Sequence, residues 1–401
     1  MPRRFVIFFA FLPGYFFSYF LRSTNAVIAG DLTRDLGLTA SQLGLMTSLF
    51  FAAFAAAQLP IGALLDRYGA RYVTPLLMLL AAFGCVMFGL RESFVTVAVA
   101  RTLIGLGVAG NLMGALKSFS GWFSPQRFAL ASSLYLALGS LGALTAATPL
   151  ALLSEAFGWR SVFFGSAGIV LLSALLILWL GRDAPQTVGE NGQGGFADIF
   201  REGRFWRIAL LNFAVVGSMF AYQSLWAGPF VSDVLGLPSV GVGNLLLVLS
   251  GGVTVGYAVA GVVGDRLGVT RVLAVSTGVF VLTQVGLVFF RAAWPSGSLV
   301  ALFATFSLSA AFAVLMFTQI RAIFPLHLTG RAVTAINLFG IGGGALLQWG
   351  LGLLIEGVGG TQTGPYPPAS YSAAFAFTAA LSLAALLFYA PLLQENTEER
   401  R

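Results

Sequence analysis

The sequence predicts an all-α, polytopic membrane protein with twelve transmembrane helices in two pseudo-symmetric six-helix bundles. Three observations carry this reading. Of 401 residues, 58% are hydrophobic and only 9% charged, with a mean hydropathy of +0.88. A soluble domain carries roughly a quarter charged residues, so a chain this apolar needs a bilayer to cover its surface. Apolar stretches of about 20 residues, enough to cross a ~30 Å hydrocarbon core, recur twelve times. Finally, one half of the chain repeats the motif and spacing of the other.

The first apolar stretch, 5–29, follows a basic start and is as long as a full span. It lacks a small-residue cleavage site, so it reads as a transmembrane helix rather than a signal peptide. The other spans fall near 41–64, 73–90, 95–120, 128–153, 160–181, 205–230, 241–263, 271–291, 298–322, 332–356 and 371–392. Between the sixth and seventh lies a stretch rich in glycine and charge, the pattern of a linker. The expected organisation is a first bundle over 1–181, a cytoplasmic linker over 182–204 and a second bundle over 205–401.

Basic residues set the orientation. With the N-terminus inside, Arg3, Arg4, Arg67, Arg71, Arg127, Arg182, Arg201, Arg204, Arg207, Arg266, Arg271 and Arg331 are cytoplasmic, and only Arg34, Arg91, Arg160 and Arg291 lie outside. This obeys the positive-inside rule. It implies a bacterial inner-membrane protein with both termini in the cytoplasm. The net charge of +7 comes mostly from these helix-end arginines. There is no basic run and no basic–aromatic patch, so nucleic acid is not an expected partner; a lipid bilayer is. The single cysteine, Cys85, excludes an intrachain disulfide.

The two halves align at a constant offset of 199 residues. Leu36-Gly37-Leu38 precedes Asp66 by 28 residues, and Leu235-Gly236-Leu237 precedes Asp265 by 28. The same offset pairs Gly62 with Gly261, Arg67 with Arg266 and Gly69 with Gly268. Parallel six-helix repeats point to alternating access around a site at the membrane midplane.

At these residues the sequence resembles the major facilitator superfamily over its whole length. Gly62-x-x-x-Asp66-Arg67-x-Gly69-x-Arg71 matches that family's loop motif between helices 2 and 3, with one extra residue before the last arginine. Gly261, Asp265, Arg266 and Gly268 form a weaker twin between helices 8 and 9. Arg101-x-x-x-Gly105-x-Gly107 matches a second family motif, in helix 4. The resemblance implies a secondary transporter, a monomer, with a gating role for Gly62, Asp66, Arg67, Gly69, Arg71 and their twins. An aspartate at such a turn can cap a helix or pair with a cation, and such contacts must break on switching. The alternative is that Asp66 and Arg67 are solvated topology markers. The chain departs from the family's drug/proton antiporters. Helix 5 contains Gly139, Gly142 and Pro149 but no Gly-Pro pair, and every acidic residue falls in a loop, at a helix end or at a terminus.

Three basic residues fall well inside spans: Arg22, Arg101 and Lys117. A charge there is costly unless it meets water, a partner or a ligand. With no intramembrane carboxylate to pair with, the expected partner is an anionic substrate. Tyr15, Ser18, Tyr19 and Asn25 share the helical face of Arg22, whose guanidinium can grip a carboxylate or phosphate with two hydrogen bonds. An arginine here also resembles the organic-anion and organophosphate branches of the superfamily. Snorkelling to the outer interface is the competing reading for Arg22. Arg101 is either a direct anion contact or a structural or coupling residue.

Lys117 lies about 160° around the helix from Arg101. It is either an interfacial residue or partner of a motif aspartate, or a lysine able to lose its proton for coupling. In the second half the repeat places Ala221 opposite Arg22, with Tyr222, Gln223 and Trp226 nearby. Asn337 is a further candidate for the substrate site.

The expected function is secondary transport of a small organic or phosphorylated anion. A proton, sodium ion or counter-substrate is the candidate coupling partner. Export of neutral amphipathic compounds is the alternative, and a receptor or enzyme on the same helices a remote one. For an enzyme there is no Walker motif, no intramembrane carboxylate pair and no cluster of metal ligands, so no cofactor is expected.

Overall fold

The computed structural model describes residues 3–90, 93–181, 196–361 and 363–398, and about 90% of these described residues are helical. Eleven helices among the described residues are long and apolar enough to cross a membrane, or twelve if the pair Leu130–Thr145 and Thr148–Phe157, bent by 48°, is counted as one span. The chain divides into two compact units. The first comprises Met1–Leu38, Gln42–Gly189 and Pro238–Gly243; the second comprises Thr39–Ser41, Glu190–Leu237 and Asn244–Arg401.

Unit 1 is built from α1 (Arg3–Leu36), α2 (Ala40–Tyr68), α3 (Ala70–Leu90), α4 (Phe94–Val108), α5 (Asn111–Trp122), α6 (Pro125–Thr145), α7 (Thr148–Phe157) and α8 (Trp159–Leu180). Unit 2 begins with α9 (Phe196–Arg201) and α10 (Gly203–Ala221), then passes through a π-helical turn (Tyr222–Trp226) into α11 (Ala227–Leu235). It continues with α12 (Ser239–Leu267), α13 (Val269–Val288), α14 (Ser296–Ala311), a 3-10 turn (Phe312–Val314) and α15 (Leu315–Ile323). The last helices are α16 (Leu326–Gly359), α17 (Pro368–Tyr389) and α18 (Pro391–Glu398).

The packing repeats within each unit. In unit 1, α1 lies on α6, and α3 lies on α8 and α4; in unit 2, α10 lies on α16, and α13 lies on α17 and α14. Glycines set how closely these pairs approach. A Cβ on Gly107 of α4 would run into the backbone of Ala81 on α3, and one on Gly217 of α10 would meet Gly343 on α16. Four glycines at left-handed turns also obey the repeat: Gly37 and Gly236 both have φ of 63°, and Gly69 and Gly268 have 79° and 88°. Side chains avoid this region, so each turn needs glycine.

Four spans expected to be continuous are interrupted. Span 4 breaks at Ala109–Gly110, span 5 at 146–147, span 7 carries the π-turn and span 10 the 3-10 turn. Pro149 stands in the first turn of α7 and offers no N–H, which accounts for the break before it. Of the expected linker, 182–195 lies outside the described residues, whereas α9 and the start of α10 occupy 196–204. Glu202 caps α10, accepting from the Arg204 backbone N–H at 3.2 Å and from its Nε at 3.0 Å. The hydrogen bond from the Arg204 side chain holds the Glu202 carboxyl below its ordinary range.

Candidate functional site

The stripe expected around Arg22 divides in two. Tyr19 and Arg22 are half-exposed, while Tyr15, Ser18 and Asn25 are buried. The Arg22 guanidinium lies 4.4 Å from the Tyr19 ring centre and 5.6 Å from that of Phe54 on α2. Such faces attract a cation. Tyr15 supports this wall from behind. It stacks on Tyr135 of α6 at 4.8 Å, and its hydroxyl donates to Tyr19 at 3.4 Å. Asn25 is turned into the packing, donating to Thr47 on α2 at 2.8 Å.

Arg101 lies close to this wall but is sealed off from it. Its side chain is fully buried, and its Nη1 donates to the Leu21 carbonyl at 2.9 Å. Phe50 and Phe88 cover the guanidinium at 5.0 and 5.8 Å. Its Nε and Nη2 have no hydrogen-bond acceptor among the described residues, so aromatic faces carry much of the compensation for this buried charge. Phe50 and Phe54 stack one turn apart on α2. One helix thus supplies a ring to each arginine, one enclosed and one open.

Lys117 is paired with the motif aspartate, one of the two roles its sequence position allows. Its Nζ donates to Asp66 Oδ1 at 2.6 Å and to the Leu65 carbonyl at 2.8 Å. A cation on the last carbonyls of a helix is favourable, so Lys117 holds the C-terminal end of α2 and one carboxylate of the loop motif. Within that motif, Arg71 Nε donates to the Leu178 carbonyl near the end of α8 at 3.1 Å, and Arg67 stacks over Tyr68. Gly62 and Gly261 face open space, with nothing within 4 Å of an added Cβ; in this structure their role is not close packing. In the second copy, Asp265 and Arg266 are exposed. The 199-residue offset places Met316, a buried side chain, where unit 1 has Lys117.

In unit 2 the expected residues fall on the π-turn, a feature frequent at functional sites. The turn points them in different directions. Tyr222 packs inward, stacked on Phe375 at 4.5 Å and hydrogen-bonded to Thr378 at 3.0 Å. Trp226 is buried and donates to the Gln348 carbonyl at 3.0 Å. Gln223 is half-exposed and donates to Ser250 at 3.3 Å. Asn337, on α16, is also half-exposed.

Amides inside the spans support these features; Gln348 and Asn111 are legible in the sequence as cavity-lining or helix-joining amides, whereas sequence reasoning missed Gln58. Gln348 donates to the Phe220 carbonyl at 3.1 Å, just before the π-turn. Gln58 reaches the Ala109 carbonyl at the break in span 4, and Asn111 donates to the Gly14 carbonyl at 2.9 Å. The available signal was an amide inside an apolar span, because a broken helix leaves carbonyls that need donors. Among the described residues no group of three or more His, Cys, Asp or Glu is placed to hold a metal ion.

Comparisons with known proteins agree with this architecture. The family profile of the Major Facilitator Superfamily matches residues 11–348. A probable sulfoacetate transporter, SauU of Cupriavidus necator, is 26% identical over 275 residues, covering 63% of each chain. The sialic acid transporter NanX of Escherichia coli is 28% identical over 283 residues, 68% of each chain. The match to the first thus spans less than two thirds of that relative's length. The crystal structure of a bacterial homologue of the human lysosomal transporter Spinster, inward-facing and occupied, superposes with a TM-score of 0.78 at 18% identity, covering 98% of this chain and 97% of the other.

Proposed function

The chain belongs to the Major Facilitator Superfamily, and we propose that it is a secondary transporter of a small organic or phosphorylated anion, working by alternating access. The observation that carries this reading is the half-exposed Arg22 guanidinium, mid-span between the Tyr19 and Phe54 rings. A cation at that depth is costly without a counter-charge, and the sequence offers no carboxylate in the apolar middle of any span. An anion bound by charge-assisted hydrogen bonds supplies one. Relatives named for sulfoacetate, sialic acid and L-galactonate support an organic anion as cargo.

The want of a membrane-embedded carboxylate favours exchange or uniport over proton symport. The bias of basic residues supports a plasma-membrane protein with both termini in the cytoplasm. The gating role rests on the loop motif, with Lys117 as the cation that holds Asp66. The test is thermal stabilisation of the purified protein by carboxylates, sulfonates, sugar phosphates, nitrate and hydrophobic drugs. Stabilisation by anions that is lost in Arg22→Ala supports the proposal; stabilisation by neutral or cationic drugs alone overturns it.

A further inference from the structure

The π-turn of unit 2 brings together buried oxygens whose bonding capacity is unspent. Gln348 and Ser224 are 0% and 1% exposed, and among the described residues Gln348 Oε1 and Ser224 Oγ have no hydrogen-bond partner. Gln348 donates through Nε2 to the Phe220 carbonyl at 3.1 Å. A carbonyl only accepts, so this bond fixes which end of the amide is nitrogen and leaves the oxygen unmatched. The Gln348 carbonyl in turn accepts from Trp226 Nε1 at 3.0 Å. Thus α16 meets the interrupted helix on both sides of Ser224. The backbone adds to this oxygen-rich setting. The Ala227 N–H reaches back five residues to the Tyr222 carbonyl, and α10 ends at Ala221, so the carbonyl end of its dipole points into the turn. An unmatched polar atom is costly at such depth.

We propose that this turn binds a monovalent cation of sodium's size, with Gln348 Oε1 and Ser224 Oγ as side-chain ligands and carbonyls of the turn completing the shell. Interrupted membrane helices hold such ions through freed carbonyls and helix C-terminal ends, and a hard cation takes oxygen ligands. The charge is set by the same residues. Neither Gly203–Val231 nor Leu328–Ile355 contains an aspartate or glutamate, so a divalent ion has nothing to balance it, whereas neutral oxygens suit a single charge. In unit 1 the 199-residue offset gives Asn25 and Pro149, and α1 runs unbroken past Asn25. The site therefore belongs to unit 2 alone and stands independently of Arg22 and of the cargo.

The experiment titrates the purified full-length protein with sodium chloride in a thermal-shift assay, with choline chloride making up constant ionic strength and potassium chloride as the size control. Hydrogen exchange is followed in the same salts. The expected result is a saturable rise in melting temperature with sodium, and slower exchange over Phe220–Trp226, neither of which potassium or choline produces. Ser224→Ala loses only an unpartnered hydroxyl, so in choline it should melt as the wild type does, while binding sodium at least about tenfold more weakly. Absence of a sodium effect, an effect matched by potassium or choline, or one unchanged in Ser224→Ala overturns the proposal. So does sodium-induced protection confined to segments outside the turn, which the wild-type protein alone reveals. All of these leave the anion reading in place, since chloride is constant throughout and that reading is scored by anion-induced stabilisation.

Discussion

Unit 1 and unit 2 share a scaffold but not a chemistry. The same helix pairs pack in each, and the same turns use glycine at left-handed φ, 199 residues apart. Yet Arg22, Arg101 and Lys117 all lie in unit 1, and their counterparts are Ala221, Val300 and Met316. Packing constrains both repeats alike, since each must satisfy its backbone within the membrane. Under the proposed function the cargo would impose no such symmetry: a small anion would need one charged grip, and duplicating a buried cation would only duplicate its cost.

The comparison can be broken most severely at Arg101. Arg101→Ala removes a large buried side chain and leaves a cavity, and loss of about 3–5 kcal/mol of stability is expected, read as a lower melting temperature. Arg101→Met, which makes this position apolar as it is in unit 2, should retain most of that stability, since apolar replacement of a buried charge is often neutral or better. Loss of anion-induced stabilisation in a well-folded Arg101→Met variant would show instead that Arg101 touches the cargo.

A smaller effect is expected in unit 2. Gln348→Leu strips the Phe220 carbonyl of its donor beside the π-turn, at a cost of about 1–3 kcal/mol. The measurement is the melting temperature, together with hydrogen exchange over Phe220–Trp226. Unchanged exchange there would mean that the π-turn holds itself.

The smallest effect belongs to Lys117→Met, which copies the residue of unit 2. The Lys117–Asp66 pair is exposed, with side-chain accessibility of 26% and 81%, so its loss should cost under about 1 kcal/mol. Transport in proteoliposomes should change while anion-induced stabilisation stays as in the wild type. Lys117→Arg should retain the pairing. Equal transport by all three proteins would remove Lys117 and Asp66 from the gating proposal.

Much of this architecture could be read without coordinates. Span count follows from runs of apolar side chains, and the need for glycine at Gly69 and Gly268 follows from a motif repeated at fixed spacing. Arg22 stood out because a charge among apolar neighbours is conspicuous in one dimension. The π-turn over Tyr222–Trp226 did not stand out, because nothing in "YQSLW" distinguishes a wider turn from an ordinary one. Its carbonyl partner, Gln348, is more than a hundred residues away along the chain.

Hydropathy, span length and turn chemistry are local properties, so the order of residues settles them. Exposure belongs to a residue's neighbours. Arg22 and Arg101 are both arginines deep within apolar helices, and nothing in their own segments says which is covered. Phe50 and Phe54 of α2 make the difference, together with Phe88 of α3. Lys117 likewise takes its role from Asp66, 51 residues away. Depth in the membrane is written along the chain, whereas which charge is sealed beneath aromatic rings, which meets a carboxylate and which stays half-exposed arises only where helices meet.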